Sequence, residues 1–109
     1  MGPTASAKSR PEEYPRPESV GTDVNVLFFS SAFCDPCIQT RGVLKQVATL
    51  VPAAKIAELD IARDEQRAME AGIRVAPTIV IVNDANEEVF RAEGVPTVNQ
   101  VLVALAKAV

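Results

Sequence analysis

The chain has two cysteines, Cys34 and Cys37, which stand two residues apart in the stretch SSAFCDPCIQTR. Thiols at this spacing suit three uses: a redox couple that forms and breaks a disulfide, part of a metal site, or two buried thiols that only pack. A structural metal site needs four ligands, and the chain offers two thiols and no histidine. A metal site would therefore need two chains that share zinc or an iron–sulfur cluster between their cysteine pairs.

The residues around the pair predict that Cys34 stands immediately before a helix. Pro36 suits a first helical turn, where its missing N–H costs nothing, and Pro52 should close the helix. Free N–H groups and partial positive charge at a helix start stabilise a thiolate, which is the reactive form in disulfide exchange. Cys34 would then attack a substrate disulfide, and Cys37, one turn further on and less exposed, would resolve the mixed disulfide. Asp35 acts in the opposite direction, because a carboxylate beside Cys34 disfavours its thiolate.

Apolar patterning along the rest of the chain predicts an α/β domain with the element order β-α-β-α-β-β-α. The first two strands are joined by a helix and should be parallel, whereas the last two are joined by a short turn and should be antiparallel. Asp64 is expected to cap the second helix and Gly72 to end it. Thr97 and Gln100 have the spacing of a capping box at the last helix. A four-stranded mixed sheet with helices on both faces satisfies this pattern, with strands at 24–29, 55–61, 78–82 and 89–93.

Composition divides the chain into residues 1–22 and 23–109. The first segment is rich in proline and poor in large apolar side chains, so we predict a flexible or polyproline-like tail followed by one folded domain. The net charge of −3, without a basic block, argues against a nucleic-acid partner. No apolar run approaches the roughly 20 residues that span a bilayer, and the first residues lack an apolar signal segment. We therefore expect a cytoplasmic location and no membrane partner.

The element order and two motifs, CDPC at a helix start and VAPT before an apolar strand, together resemble the thioredoxin family. The resemblance covers roughly residues 24–109. It implies a thioredoxin-like fold and disulfide exchange with protein substrates, with electrons from a reductase or a small thiol and no bound cofactor. It also implies that Pro77 is cis and faces the disulfide, and that the backbone of Ala76 pairs with an extended substrate strand. Phe33 and Pro36 would belong to the same substrate-binding rim.

The chain also departs from the family pattern. The strand and helix that usually precede the first strand are not predicted here, and the sheet edge or apolar face thus exposed offers a homodimer interface. Phe33 replaces a tryptophan, Asp35 replaces a glycine, and Phe28 replaces a buried, proton-relaying aspartate. Glu58 replaces a lysine, so we consider a buried Glu58 that accepts the proton with a raised pKa, or one that simply faces solvent. These losses leave open a second function, a binding or scaffold module with little redox turnover.

Overall fold

A computed structural model describes residues 24–108 of the chain. The element order β-α-β-α-β-β-α is as predicted. The predicted tail at 1–22 and the prediction about a leading strand and helix lie outside the described residues. The elements are β1 (Val24–Ser30), α1 (Asp35–Leu50), β2 (Ala54–Asp60), α2 (Glu65–Glu70), β3 (Thr78–Val82), β4 (Glu88–Glu93) and α3 (Val98–Ala108).

The four strands form one mixed sheet in the order β2-β1-β3-β4. β1 is parallel to β2, with Phe28 opposite Glu58, and antiparallel to β3, with Phe29 opposite Thr78. β4 pairs with β3 in the antiparallel sense, which places Glu93 opposite Thr78. Both predicted strand orientations are therefore confirmed, and the carboxyl ends of β1 and β4 lie at the same end of the sheet as the start of β3.

Helices cover both faces of the sheet. Because side chains alternate along a strand, Val26 and Phe28 face α1 and α3, whereas Leu27 and Phe29 face α2. The β1 side chains from Val26 to Phe29 and all five of β3 are buried, which explains why these strands read as continuous apolar runs rather than alternating ones. The sheet thus separates the core into two apolar clusters.

At α2 and α3, two of the three predicted end signals are confirmed. The Gly72 backbone after α2 is left-handed, with a φ of 70°, as expected of a residue that ends a helix. The Thr97 N–H donates to Gln100 Oε1 at 2.9 Å, and the Gln100 N–H donates to Thr97 Oγ1 at 3.0 Å, which confirms the capping box. Asp64 stands at the cap of α2, but its carboxylate makes no capping bond. It accepts the Asp60 N–H at 3.2 Å instead, so the predicted side-chain cap is wrong.

Candidate active site

The cysteine pair lies at the end of the sheet where three segments meet. β1 ends at Ser30 and leads into Cys34, while Pro77 directly precedes the first residue of the antiparallel strand β3. β4 also ends there, and the N–H of Gly94 donates to the Pro77 carbonyl at 2.8 Å. The topology therefore brings the CDPC and VAPT motifs to one edge, although they are far apart in the sequence.

Cys34 and Cys37 form a disulfide, with their Cα atoms 5.2 Å apart. Cys34 is the N-cap of α1, and its sulfur accepts the Cys37 N–H at 3.1 Å. Its carbonyl also accepts the N–H groups of Cys37 and Ile38, at 3.1 and 3.2 Å. Cys34 is half-buried, whereas Cys37 is only 1% exposed. The Cys34 sulfur is thus the more exposed of the two, and it lies at a helix start, where N–H groups favour a thiolate.

The two residues between the cysteines begin α1 and are exposed. Pro36 occupies the first turn, as predicted, and its carbonyl accepts the Thr40 hydroxyl at 2.9 Å. Asp35 lies in the same turn, where a carboxylate interacts favourably with the positive end of the helix dipole. The effect of Asp35 on a Cys34 thiolate stays a prediction.

Apolar side chains adjoin the two motifs at the surface. Phe33, directly before the first cysteine, is fully exposed and has a left-handed backbone with a φ of 54°. The Ala76–Pro77 bond is cis, as the resemblance implied; Pro77 is buried and Ala76 half-buried. Val75 and Val95, 44% and 40% exposed, flank this region. Val75 is the first residue of the VAPT motif but was not among the candidate site residues. Val95 was also missed, and its place two residues after the end of β4 is the signal for it.

Glu58 is not a buried carboxylate. Its side chain is 37% exposed and forms a bidentate pair with Arg41, whose Nε and Nη2 donate to Oε1 and Oε2 at 2.9 and 2.6 Å. The buried Ser30 hydroxyl donates to Oε2 at 2.8 Å. The hydrogen bond from Arg41 holds the pKa of Glu58 below its ordinary value, against the smaller opposite effect of burial. Of the two environments considered for Glu58, the buried one with a raised pKa is therefore wrong, and Glu58 is ionised at neutral pH.

Phe28 occupies the place of the family's usual aspartate and is 1% exposed. The guanidinium carbon of Arg41 lies 5.7 Å from the centre of its ring, within the range of a cation–π contact. Arg41 follows Cys37 by four residues on α1, so it lies one turn further along the same helix face. Arg41 was not among the candidate residues, and its four-residue spacing from Cys37 is the signal that would have found it.

The structure also bears on metal binding and on membrane insertion. Within residues 24–108, no group of three or more histidine, cysteine, aspartate or glutamate residues could hold a metal ion. In the same part of the chain, no helix is long and apolar enough to cross a membrane.

A helix-start disulfide and a cis proline at the same end of a mixed α/β sheet define a class of disulfide-exchanging domains. The family model for thioredoxin matches residues 13–107, beginning inside the predicted tail. The thioredoxin of Methanocaldococcus jannaschii is 32% identical over 85 residues, which cover 77% of this chain and 94% of that protein. The thioredoxin of Chlamydia muridarum is 26% identical over 90 residues, covering 83% and 87%.

Solved structures agree on the fold. The X-ray structure of Fasciola hepatica thioredoxin superposes with a TM-score of 0.71 at 22% identity, covering 81% of this chain and 83% of that one. The chain belongs to the thioredoxin family. The predicted thioredoxin-like fold is confirmed, and the family and the Cys34–Cys37 pair together make the protein a thiol–disulfide oxidoreductase of the disulfide-reducing kind. The family implies protein disulfide substrates and a reductase partner, and the scaffold alternative is not favoured.

Proposed function

We propose that the protein reduces disulfide bonds in protein substrates by dithiol–disulfide exchange. The Cys34 thiolate attacks one substrate sulfur, which forms a mixed disulfide and releases the other substrate sulfur as a thiolate. The Cys37 thiolate then attacks the Cys34 sulfur, closes the intramolecular disulfide and releases the second substrate thiol. Two electrons pass from the cysteine pair to the substrate, and a reductase or a small thiol returns them.

The unequal exposure of the two sulfurs carries this assignment. Cys34 is half-buried at the surface and accepts the Cys37 N–H, whereas Cys37 is nearly inaccessible inside the apolar cluster. A protein substrate is too large to reach Cys37 first. The bridge between them supports the second step, because Cys37 is already within bonding reach of Cys34.

The proposed substrate surface joins the two motifs. Phe33 and Pro36 are exposed on the cysteine side, and Ala76 and Pro77 lie at the same end of the sheet. An extended substrate would pair with the Ala76 backbone by strand addition, while the apolar rim that includes Val75 contacts its side chains. Strand addition is weakly selective for sequence, which suits a reductase with several protein substrates.

Two carboxylates are proposed to tune the pair in different ways. Asp35 acts directly, since its negative charge lies beside Cys34 in the first turn of α1. Glu58 acts indirectly by neutralising Arg41, whose positive charge would otherwise favour a thiolate on Cys37 one turn away. Neither residue is proposed to relay a proton.

The remaining parts of the proposal concern the protein's surroundings. A reducing cytoplasm would return the pair to its dithiol form, and a chain with only two cysteines suits that compartment. The net charge of −3 supports an absence of nucleic-acid partners. We also propose a homodimer through a sheet edge, and light scattering of the full chain at high concentration tests it. A monomer would exclude it.

The central test uses the single cysteine variants with a disulfide-containing protein substrate. Cys37→Ser should trap a mixed disulfide through Cys34, and Cys34→Ser should trap none. Complexes that persist without both cysteines would instead support the scaffold function. The reduction potential of the wild-type pair, measured by thiol trapping in redox buffers, provides a second test. A value near or below about −270 mV fits a reductant, and one above roughly −200 mV would contradict this function.

A further inference from the structure

The loop of residues 71–77, between α2 and β3, is bound to the edge strand β4 by charged side chains that the exchange steps do not use. This loop carries Ala76 and Pro77. Hydrogen bonds fix the backbone on both sides of Ala76. The Thr78 hydroxyl donates to the Val75 carbonyl at 2.8 Å, and the Gly94 N–H donates to the Pro77 carbonyl at 2.8 Å. Among residues 24–108, none hydrogen-bonds the Ala76 backbone, so its polar groups are open to a substrate strand.

The first charged contact runs from the loop to the strand. Arg74 Nη2 donates to Glu93 Oε1 at 2.8 Å and to Oε2 at 3.1 Å, and Arg74 Nε donates to Oε2 at 3.2 Å. The Arg74 side chain is 75% exposed and that of Glu93 33% exposed. The hydrogen bond raises the pKa of Arg74 and lowers the pKa of Glu93, so both groups are charged over the working range of the enzyme. The planar fork of Arg74 fixes the loop's orientation as well as its distance from β4.

The second contact runs from the strand back to the loop. Arg91 Nη2 donates to the Ala71 carbonyl at 2.6 Å, and Nη1 approaches the Gly72 carbonyl at 3.4 Å. Glu88 accepts two hydrogen bonds from the same guanidinium, from Nη2 to Oε1 at 2.8 Å and from Nε to Oε2 at 2.9 Å. Since Arg91 and Glu93 are two residues apart on β4, their side chains project from the same face of the sheet. The loop is therefore fixed at its start by Arg91 and in its middle by Glu93.

We propose that the Arg74–Glu93 pair, with Arg91 anchoring the start of the loop, positions the Ala76 backbone for protein substrates. The proposal rests on the proposed function above and assigns Arg74 and Glu93 as positioning residues. A substrate strand that pairs with a fixed backbone loses less conformational freedom on binding than one that must first order the loop. A small disulfide makes no such pairing and requires only the sulfur of Cys34.

The test compares two disulfides and three variants in steady-state kinetics. Insulin serves as the protein substrate and hydroxyethyl disulfide as the small one. Arg74→Gln and Glu93→Gln should each raise the KM for insulin about two- to fivefold, the range expected for losing an exposed ion pair, with kcat unchanged. The double variant should be no worse than either single one, because both remove the same contact. Rates with hydroxyethyl disulfide should not change.

Matched controls and contrary results follow from the same design. Glu65→Gln and Arg63→Gln change the same charges at exposed positions on or beside α2, and should leave both KM values unchanged. An unaltered KM in Glu93→Gln would overturn the proposal. So would a raised KM in Arg74→Gln with a lowered one in Glu93→Gln, since Arg74 would then bind acidic substrates directly. A wild-type protein that reduces neither disulfide would instead refute the proposed function, and this inference with it.

Discussion

The Glu58→Gln variant separates a structural ion pair from a proton relay. Gln retains the size of Glu58 and one acceptor oxygen for the Ser30 hydroxyl, but it removes the charge that Arg41 binds at two points. A relay requires a carboxylate whose pKa lies near neutrality, and the pKa of Glu58 is lowered, chiefly by the Arg41 hydrogen bond. We therefore expect a loss of stability and no slowing of exchange, because the Arg41 charge left unpaired would favour the Cys37 thiolate.

The size of the loss follows from the two contacts. The Arg41–Glu58 side chains are 45% and 37% exposed, and pairs of this exposure contribute about 0.2–1 kcal/mol. Ser30 is 3% exposed, and exchanging its charged acceptor for a neutral one should cost about 0.5 kcal/mol more. The sum is about 1 kcal/mol at pH 7. In a domain of this size, that corresponds to a fall in Tm of roughly 4–8 °C.

The effect should also depend on pH in a defined direction. The pKa of Glu58 is lower in the folded state than its ordinary value of 4.5. Its contribution to stability is therefore complete above the unfolded-state pKa and is lost as the pH falls through the folded-state pKa. Wild type and Glu58→Gln should differ fully at pH 7, less below about pH 4.5, and hardly at all once the carboxyl is protonated in both states.

Urea denaturation between pH 3 and pH 7 measures the difference, and insulin reduction between pH 6 and pH 9 measures the exchange rate. Glu87→Gln, an exposed carboxylate between β3 and β4 that accepts the neutral Asn83 amide, is the matched control and should show neither effect. A stability difference that stays constant down to pH 3 would refute the ion-pair account. An exchange rate of Glu58→Gln that is more than about twofold below that of the wild type at pH 6–9 would instead support the proton relay.

Three further changes test other parts of the structure. Gly42→Ala should raise the free energy of unfolding by about 0.5–1 kcal/mol in urea titrations, because an added Cβ meets nothing within 4 Å in this helix interior; a lowered midpoint would contradict this. Thr97→Ala should lower it by about 1 kcal/mol by removing the capping box, whereas Thr49→Ala, an exposed control, should change it little. Asp35→Asn should raise the reduction potential of the cysteine pair by on the order of 10 mV in thiol trapping, because removing the negative charge stabilises the Cys34 thiolate and so the reduced form. A lower reduction potential would show that the charge of Asp35 does not act mainly by disfavouring the Cys34 thiolate.

Local patterns predicted most of the fold because the determining contacts are short-range. Pro36 placed the start of α1, and the mutual spacing of Thr97 and Gln100 placed the start of α3. The continuous apolar runs predicted the two central strands. Where two local hydrogen bonds competed, the pattern failed: the Asp64 carboxylate accepts the Asp60 N–H rather than capping its own helix.

The charged contacts around the site could not be read from the sequence. The chain has 11 basic and 14 acidic residues, so each glutamate had many candidate partners. Glu58 meets Arg41 only because β2 lies beside β1 under α1, and Glu93 meets Arg74 only because β4 pairs with β3. Neighbouring strands and their register decide such pairs, and neither is encoded in local spacing. This is also why the sequence left two environments open for Glu58.

The backbone at Phe33 has a consequence for how the protein responds to selection. A left-handed conformation costs a residue with a side chain about 1–2 kcal/mol, and the exposed ring recovers none of this by packing. Glycine would adopt the same conformation without that cost. A library of variants screened only for heat resistance should therefore replace Phe33 early and lose a proposed substrate contact unnoticed, whereas a screen that also requires turnover should retain it.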